Sequence, residues 1–262
     1  MILDRFDLNG KVAVVTGAGR GIGERSATAL AEIGADVVCA ARSQDQIDDT
    51  VAQIVDRGRR GLAVPTDVNQ RADLEGLIDA TMEEFGRIDV LVNNAGGWPP
   101  QEFLNTSDSD FEEAFHFNVT TAFLLTRLAA PKMAESDGGA VVNISSRTAS
   151  IILRGFVAYG TAKAALSFMT RSLGAELAPK VRVNAIEVGA VATSALEYVK
   201  TDEAIERQLV DTTPMGRIGE VDDVAAMLVY LASPASQWVT GKIMQVDGGV
   251  ETQQFEFPPA DL

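Results

Sequence analysis

No part of this 262-residue chain constrains its fold more than residues 12–23, VAVVTGAGRGIG. Four apolar residues, Val12, Ala13, Val14 and Val15, break at Thr16 and Gly17, and Gly21 and Gly23 follow where a helix should begin. The pattern predicts a buried strand, a tight turn and a helix N-terminus aimed at an anion. Glycines there let the backbone approach a pyrophosphate closely, because no Cβ intervenes and positive φ is tolerated. The spacing is G-x-x-x-G-x-G rather than G-x-G-x-x-G, so a dinucleotide site stands by physical analogy beside a purely structural strand-turn-helix.

Downstream, short apolar runs alternate with helical ones. Strands are predicted at 37–41, 62–64, 88–92, 141–144, 181–186 and 242–246. Helices are predicted at 45–57, at 72–85, over a long 108–135 bent near Pro131, from Tyr159 through Lys163 to about 177, and at 222–231. This alternation predicts an α/β fold: a three-layer, doubly wound Rossmann arrangement around a seven-stranded parallel sheet. One domain over residues 1–262 is expected, with a substrate loop at about 187–215. Ligands of such sheets bind beyond the C-terminal strand ends where strand order reverses, which gathers Gly17, Asn93, Ser146 and Gly189 along one edge.

Bulk properties narrow the function. A net charge of −15 repels phosphate backbones and excludes nucleic acid as a natural partner. The same charge weakens the case for a substrate riding on an acidic carrier protein. A single cysteine, Cys39, forbids an intrachain disulfide and fits a reducing, cytoplasmic setting. His116 is the only histidine, too few to build an ordinary zinc site, so no metal is expected. No signal-like segment opens the sequence, and no run of about 18 apolar residues suggests a membrane span.

Chemistry concentrates around Tyr159 and Lys163, four apart and therefore one turn apart on a predicted helix. A phenol titrates near ~10 and is a poor base at neutral pH, but a nearby ammonium or a cationic nicotinamide ring lowers that value. A phenol tuned in this way suits proton exchange with an alcohol or ketone oxygen. The alternative is a core-edge tyrosine beside a surface lysine. Ser146, thirteen residues before Tyr159, is placed to donate to the same substrate oxygen. It lacks a G-x-S-x-G elbow, which argues against a hydrolase. Asn118 falls inside the long predicted helix, a costly position unless its amide makes specific bonds or perturbs the ladder.

These residues together resemble the short-chain dehydrogenase/reductase family. Residues 16–23 match its TGxxxGIG cofactor turn, residues 93–96 its NNAG element, and Asp247, Gly248 and Gly249 its closing motif. The resemblance implies Tyr159 as acid/base, Ser146 orienting the substrate oxygen, Lys163 on the nicotinamide ribose and Asn118 holding a relay water. It implies cofactor contacts at Gly17, Gly19, Arg20, Gly21, Ile22, Gly23, Arg42, Ser43, Asp67, Val68, Asn94, Ala95, Gly96, Tyr159, Lys163, Gly189 and Thr193. The family's Pro-Gly after the sixth strand reads Val188-Gly189 here, preceded by Glu187. Loss of proline is expected to free that loop, with the Glu187 carboxylate equally able to face solvent.

No carboxylate stands at the end of the second strand, where Ala41 is followed by Arg42, and Arg20 lies in the glycine turn. Together the two arginines lead to an expectation of NADP(H) in preference to NAD(H), the alternative being two exposed arginines and an enzyme permissive for either. Trp98, Pro99, Pro100, Ile152, Leu153, Phe156, Leu196 and Tyr198 are candidate pocket residues and suit a bulky apolar ketone or secondary alcohol. Local sequence resembles both 7α-hydroxysteroid dehydrogenases and 3-oxoacyl-carrier reductases of the family. A catalytically idle cofactor-binding scaffold is the rival class, which has no use for the full set of Asn118, Ser146, Tyr159 and Lys163. The resemblance also implies a homotetramer, with Phe255 and Phe257 reaching toward a neighbour.

Overall fold

The computed structural model describes residues 1–193 and 203–254. Seven parallel strands form one sheet in the order β3-β2-β1-β4-β5-β6-β7. They are β1 (Val12–Thr16), β2 (Asp36–Ala41), β3 (Gly61–Pro65), β4 (Val90–Asn93), β5 (Gly139–Ser146), β6 (Val181–Val188) and β7 (Ile243–Val246). The helices are α1 (Gly21–Glu32), α2 (Gln44–Asp56), α3 (Arg71–Phe85), α4 (Asp108–Phe115), α5 (Thr121–Glu135), α6 (Val157–Glu176), α7 (Glu203–Thr212) and α8 (Val221–Ala232).

Strand alternation sorts the side chains into two layers. Ala13, Val15, Val37, Cys39, Val142, Ile186 and Val188 pack with Leu30 of α1, Ile54 of α2 and Leu228 of α8. Val12, Val14, Val38, Leu91, Val141 and Val183 pack with Leu77 of α3 and with Leu125 and Met133 of α5. A sheet covered on both faces explains why its strands read as continuous apolar runs. Each fully buried leucine contributes about 1.5–3 kcal/mol of transfer free energy. Pairing switches sides at β1, which lies between β2 and β4, and opens a crevice at their C-terminal ends. The Cys39 thiol belongs to the core, and burial pushes its pKa up to about 12.

One boundary differs from expectation. The long helix predicted over 108–135 is interrupted by a π-helical turn, His116–Thr120, while Pro131 lies inside a continuous α5. The break falls on Asn118, not on the proline. Among the described residues, no helix is long and apolar enough to cross a membrane, and no cluster of potential metal ligands occurs.

Candidate active site

A cavity of about 990 Å³ opens at the crevice. At its β1 end, Gly17 has φ +63°, and a Cβ there would lie 2.7 Å from Asn94 Nδ2. A Cβ on Gly23 would collide with the Gly17 carbonyl oxygen. Asn94 fixes this turn from the β4 side: Nδ2 donates to the carbonyls of Thr16 (2.9 Å) and Gly17 (3.2 Å). The Asn94 and Ala95 amides both donate to Thr16 Oγ1 at 3.0 Å. No side chain caps the N-terminus of α1, and its first residues, Gly21, Ile22 and Gly23, line the cavity, so its free amides are left to a ligand there. An uncapped N-terminus over a cradle that a Cβ would fill suits a pyrophosphate.

At the other end, Ser146, Tyr159 and Lys163 line the same cavity. Lys163 is 3% exposed, and its Nζ donates to the Ile144 carbonyl at 2.8 Å and lies 5.7 Å from the Tyr159 ring centroid. Burial lowers the ammonium to about 7. Burial also raises the Tyr159 phenol, against a smaller pull downward from its hydrogen bond with Ser146. The protein groups around the phenol therefore do not by themselves lower it as expected. A cationic ring beside the phenol would supply the missing positive field. Ser146 Oγ accepts from the Thr148 amide (3.2 Å) and hydroxyl (3.0 Å), so its own hydrogen, now given to Tyr159, is the one a substrate oxygen would take.

Asn118 stands one layer behind and does not line the cavity. Its Nδ2 donates to the carbonyls of Ala114 (2.9 Å) and Gly97 (3.0 Å), and its Oδ1 accepts from the Gly97 amide (2.8 Å). The costly mid-helix asparagine is thus explained: the π turn releases a carbonyl to the side chain, and the side chain tethers the loop after β4. A Cβ built on Gly96 would fall 2.8 Å from Asn118 Oδ1 and 3.1 Å from Lys163 Nζ, so both groups close in on the Gly96 backbone and leave no room for a side chain.

The family described as Enoyl-(Acyl carrier protein) reductase matches residues 17–251 of this chain. The chain belongs to the short-chain dehydrogenase/reductase family. An oxidoreductase of Mycobacterium tuberculosis, described as uncharacterized, is 46% identical over 263 residues, covering 100% of both chains. The 7α-hydroxysteroid dehydrogenase of Escherichia coli K12 is 38% identical over 94% of this chain and 96% of its own. A solved 7α-hydroxysteroid dehydrogenase, complexed with NADH and 7-oxo glycochenodeoxycholic acid, superposes with a TM-score of 0.91. It is 38% identical and covers 94% of this chain and 96% of that one. This short-chain dehydrogenase/reductase is accordingly an oxidoreductase acting on CH-OH and C=O groups.

The NADH in that relative overturns the expected preference for NADP(H). The physical reason lies in Arg20 and Arg42. Both line the cavity edge but are exposed, so neither guanidinium is held in place by burial as a phosphate clamp would be. Neutral hydrogen-bonding groups, Ser43, Gln46 and Thr66, line that end of the cavity beside them. Absence of a carboxylate after β2 shows only that nothing there repels a 2'-phosphate; it supplies no attraction.

The other family positions, Gly19, Gly21, Ile22, Asp67, Val68, Gly189 and Thr193, all border the cavity. The sequence reading missed Gln46, Phe117, Ala190 and Val191, which line it too. Gln46 could have been found from its place in the first turn after β2. The family departure at Glu187-Val188 also needs correction. Val188 is the last residue of β6, in register with Ser146 on one side and Val246 on the other, and the Gly189 amide donates to the Val246 carbonyl at 2.9 Å. The segment is tied into the sheet rather than freed, because valine, unlike proline, continues the ladder. Glu187 is buried, not solvent-facing.

Of the substrate-side candidates, Phe156 lies beside Tyr159, ring centroids 6.3 Å apart. The Gln101 amide donates to the Gly155 carbonyl at 2.8 Å and joins the loop bearing Trp98, Pro99 and Pro100 to that bearing Ile152 and Leu153. Leu196, Tyr198, Phe255 and Phe257 lie outside the described residues.

Proposed function

We propose that this enzyme interconverts a ketone and a secondary alcohol on a bulky, steroid-like skeleton, with NAD(H) as the cofactor. The observation that carries this reading is the convergence of Ser146, Tyr159 and Lys163 on a cavity that continues from the glycine cradle. The 7α-hydroxysteroid dehydrogenase relative supports the substrate class and the cofactor. The bound nicotinamide supplies or takes the hydride. The chain's residues do the rest. Ser146 donates to the substrate oxygen and fixes its orientation. Tyr159 gives that oxygen a proton on reduction and removes it on oxidation. Lys163 holds the ribose and refills the phenol, with Asn118 close behind its Nζ to hold a relay water. Asn94, Gly17 and Gly23 shape the pyrophosphate seat, with Asp67 and Val68 at the adenine.

The test is NADH oxidation across a panel of 7-oxo bile acids, acyl thioester ketones, quinones and small cyclic ketones. Turnover of the bile acid with NADH is the expected outcome. Turnover confined to acyl thioester ketones would overturn the substrate class and favour a 3-oxoacyl reductase. The reading also includes a homotetramer, supported by exposed Phe111 and Phe115 of α4, Phe123 of α5 and Phe168 of α6. Sedimentation at assay concentration checks it; a monomer would refute it.

A further inference from the structure

Behind the reacting groups lies a buried ion pair with no counterpart in the roles assigned so far. Glu187 is 3% exposed and Arg147 7%. Burying two charges is expensive unless each is paired and hydrogen-bonded, and here both are. Glu187 Oε1 accepts from Ser167 Oγ at 3.1 Å, and Oε2 accepts from Ser150 Oγ at 2.8 Å and from Arg147 at 3.4 Å. Ser167 sits on α6 one turn after Lys163. Its hydroxyl is 3.0 Å from that of Ser145, which in turn lies 3.3 Å from the Lys163 carbonyl. One carboxylate thereby ties together the end of β6, the end of β5 and the helix that carries Tyr159 and Lys163.

Arg147 uses the rest of its guanidinium on Ser150 and on the chain's last described segment. It donates to the Val250 carbonyl at 2.7 Å and to Ser150 Oγ at 2.8 Å, and its Nε lies in ion-pair contact with Asp247 Oδ2 at 2.6 Å. Arg147 also opens the short turn Arg147–Ala149, whose Thr148 makes both hydrogen bonds to Ser146 Oγ. The guanidinium is therefore the anchor of the turn that sets the Ser146 rotor. Only while Thr148 fills the lone pairs of Ser146 is the serine hydrogen directed outward as a donor.

We propose that Arg147 and Glu187 are positioning residues that hold Ser146 as a donor to the substrate oxygen, doing with a buried ion pair what backbone geometry does at the glycine turn. This rests on the reading of Ser146 given above. A displacement of about 1 Å at a reacting group costs on the order of 100-fold in rate, so the effect belongs in kcat rather than in binding. Arg147→Met and Ser146→Ala, singly and combined, test it with whichever ketone of the panel the unmodified enzyme turns over best.

Arg147→Met alone is expected to lower kcat about 30-fold or more, with the KM for the ketone and the Kd for NADH, read by nucleotide fluorescence, within about 3-fold. In the Ser146→Ala background the same substitution is expected to cost less than about 3-fold, because the group it positions is gone. Equal losses in both backgrounds, or no loss in the first, would overturn the proposal and leave Ser146 untouched. An unchanged kcat in Ser146→Ala itself would remove the reading beneath it. If Arg147→Met does not fold, Glu187→Gln carries the same cycle; it keeps side-chain volume and the bond from Ser150 while removing the charge, and the same non-additivity is expected.

Discussion

The two ends of the cavity are built from different materials. At the β1–β4 end the shape is made by backbone: Gly17 at positive φ, Gly23 with no room for a Cβ, an uncapped α1, and Asn94 bonded to main-chain carbonyls. At the β5–β6 end the reacting groups are backed by buried polar side chains, Asn118, Lys163, Glu187 and Arg147, each 2–7% exposed. The difference follows from what each end must do. A pyrophosphate needs fixed amides at close range, which backbone supplies without titrating. Proton transfer needs groups whose protonation is set by burial and neighbours, which only side chains supply. Substitutions at the first end should therefore act on cofactor affinity, and those at the second on turnover.

The largest separation is expected at Tyr159. Tyr159→Phe removes the one hydroxyl placed to exchange the substrate proton and should lower kcat by on the order of 10³-fold, with the Kd for NADH within about 3-fold. Normal turnover would end the proposed mechanism, and lost NADH binding would blur the division between the two ends. Gly23→Ala attacks the other end. The new methyl meets the Gly17 carbonyl, an overpacking that costs about 1–3 kcal/mol. NADH affinity should fall on the order of 10- to 100-fold, while kcat at saturating NADH stays within about 3-fold. A fall in kcat with unchanged affinity would break the comparison.

Gly96 sits where the two ends meet, and Gly96→Ala sharpens the boundary. Its Cβ would press on Asn118 Oδ1 (2.8 Å) and crowd Lys163 Nζ (3.1 Å). The expected loss is about 10-fold in kcat, with a weakened dependence of rate on pH, because the proton path to Lys163 is disturbed while Tyr159 stays in place. Retained kcat would show that the phenol is refilled by another route.

The backbone-made end was the more legible in sequence, for a reason visible in particular residues. A glycine that must be glycine declares itself, so Gly17, Gly21 and Gly23 announced the turn before any fold was known. Buried parallel strands likewise read as apolar runs, and all seven were found with ends shifted by a few residues. The family spacing located Ser146, Tyr159 and Lys163. It did not show the π turn, whose one trace in the sequence was the costly Asn118 inside the long predicted helix. Nor did it show that Glu187 is buried: Ile186 and Val188 point to the α8 side, so Glu187 must face α6, but only Ser167 and Arg147 make that tolerable. The cofactor expectation failed because an arginine's identity says nothing of whether it is held.

The smallest effect tests the division through pH. Burial lowers Lys163 to about 7, whereas an unfolded lysine titrates near ~10.4. Between those values the unfolded chain binds one more proton than the native one, so stability rises with pH there, and the burial cost is present in full below about 7. Cys39 acts oppositely, its thiol pushed up to about 12, but only above the ordinary thiol value near ~8.5. The raised Tyr159 phenol, too, has its effect only at more alkaline pH, near and above ~10. The window from about pH 7 to 8.5 therefore isolates Lys163. Over it, urea unfolding should show the unmodified protein gaining on Lys163→Met by up to about 1.4 kcal/mol per pH unit. A flat difference would mean that the Ile144 carbonyl suffices to keep the ammonium charged in the native site. The reaction end would then hold its charge as rigidly as the cofactor end holds its shape.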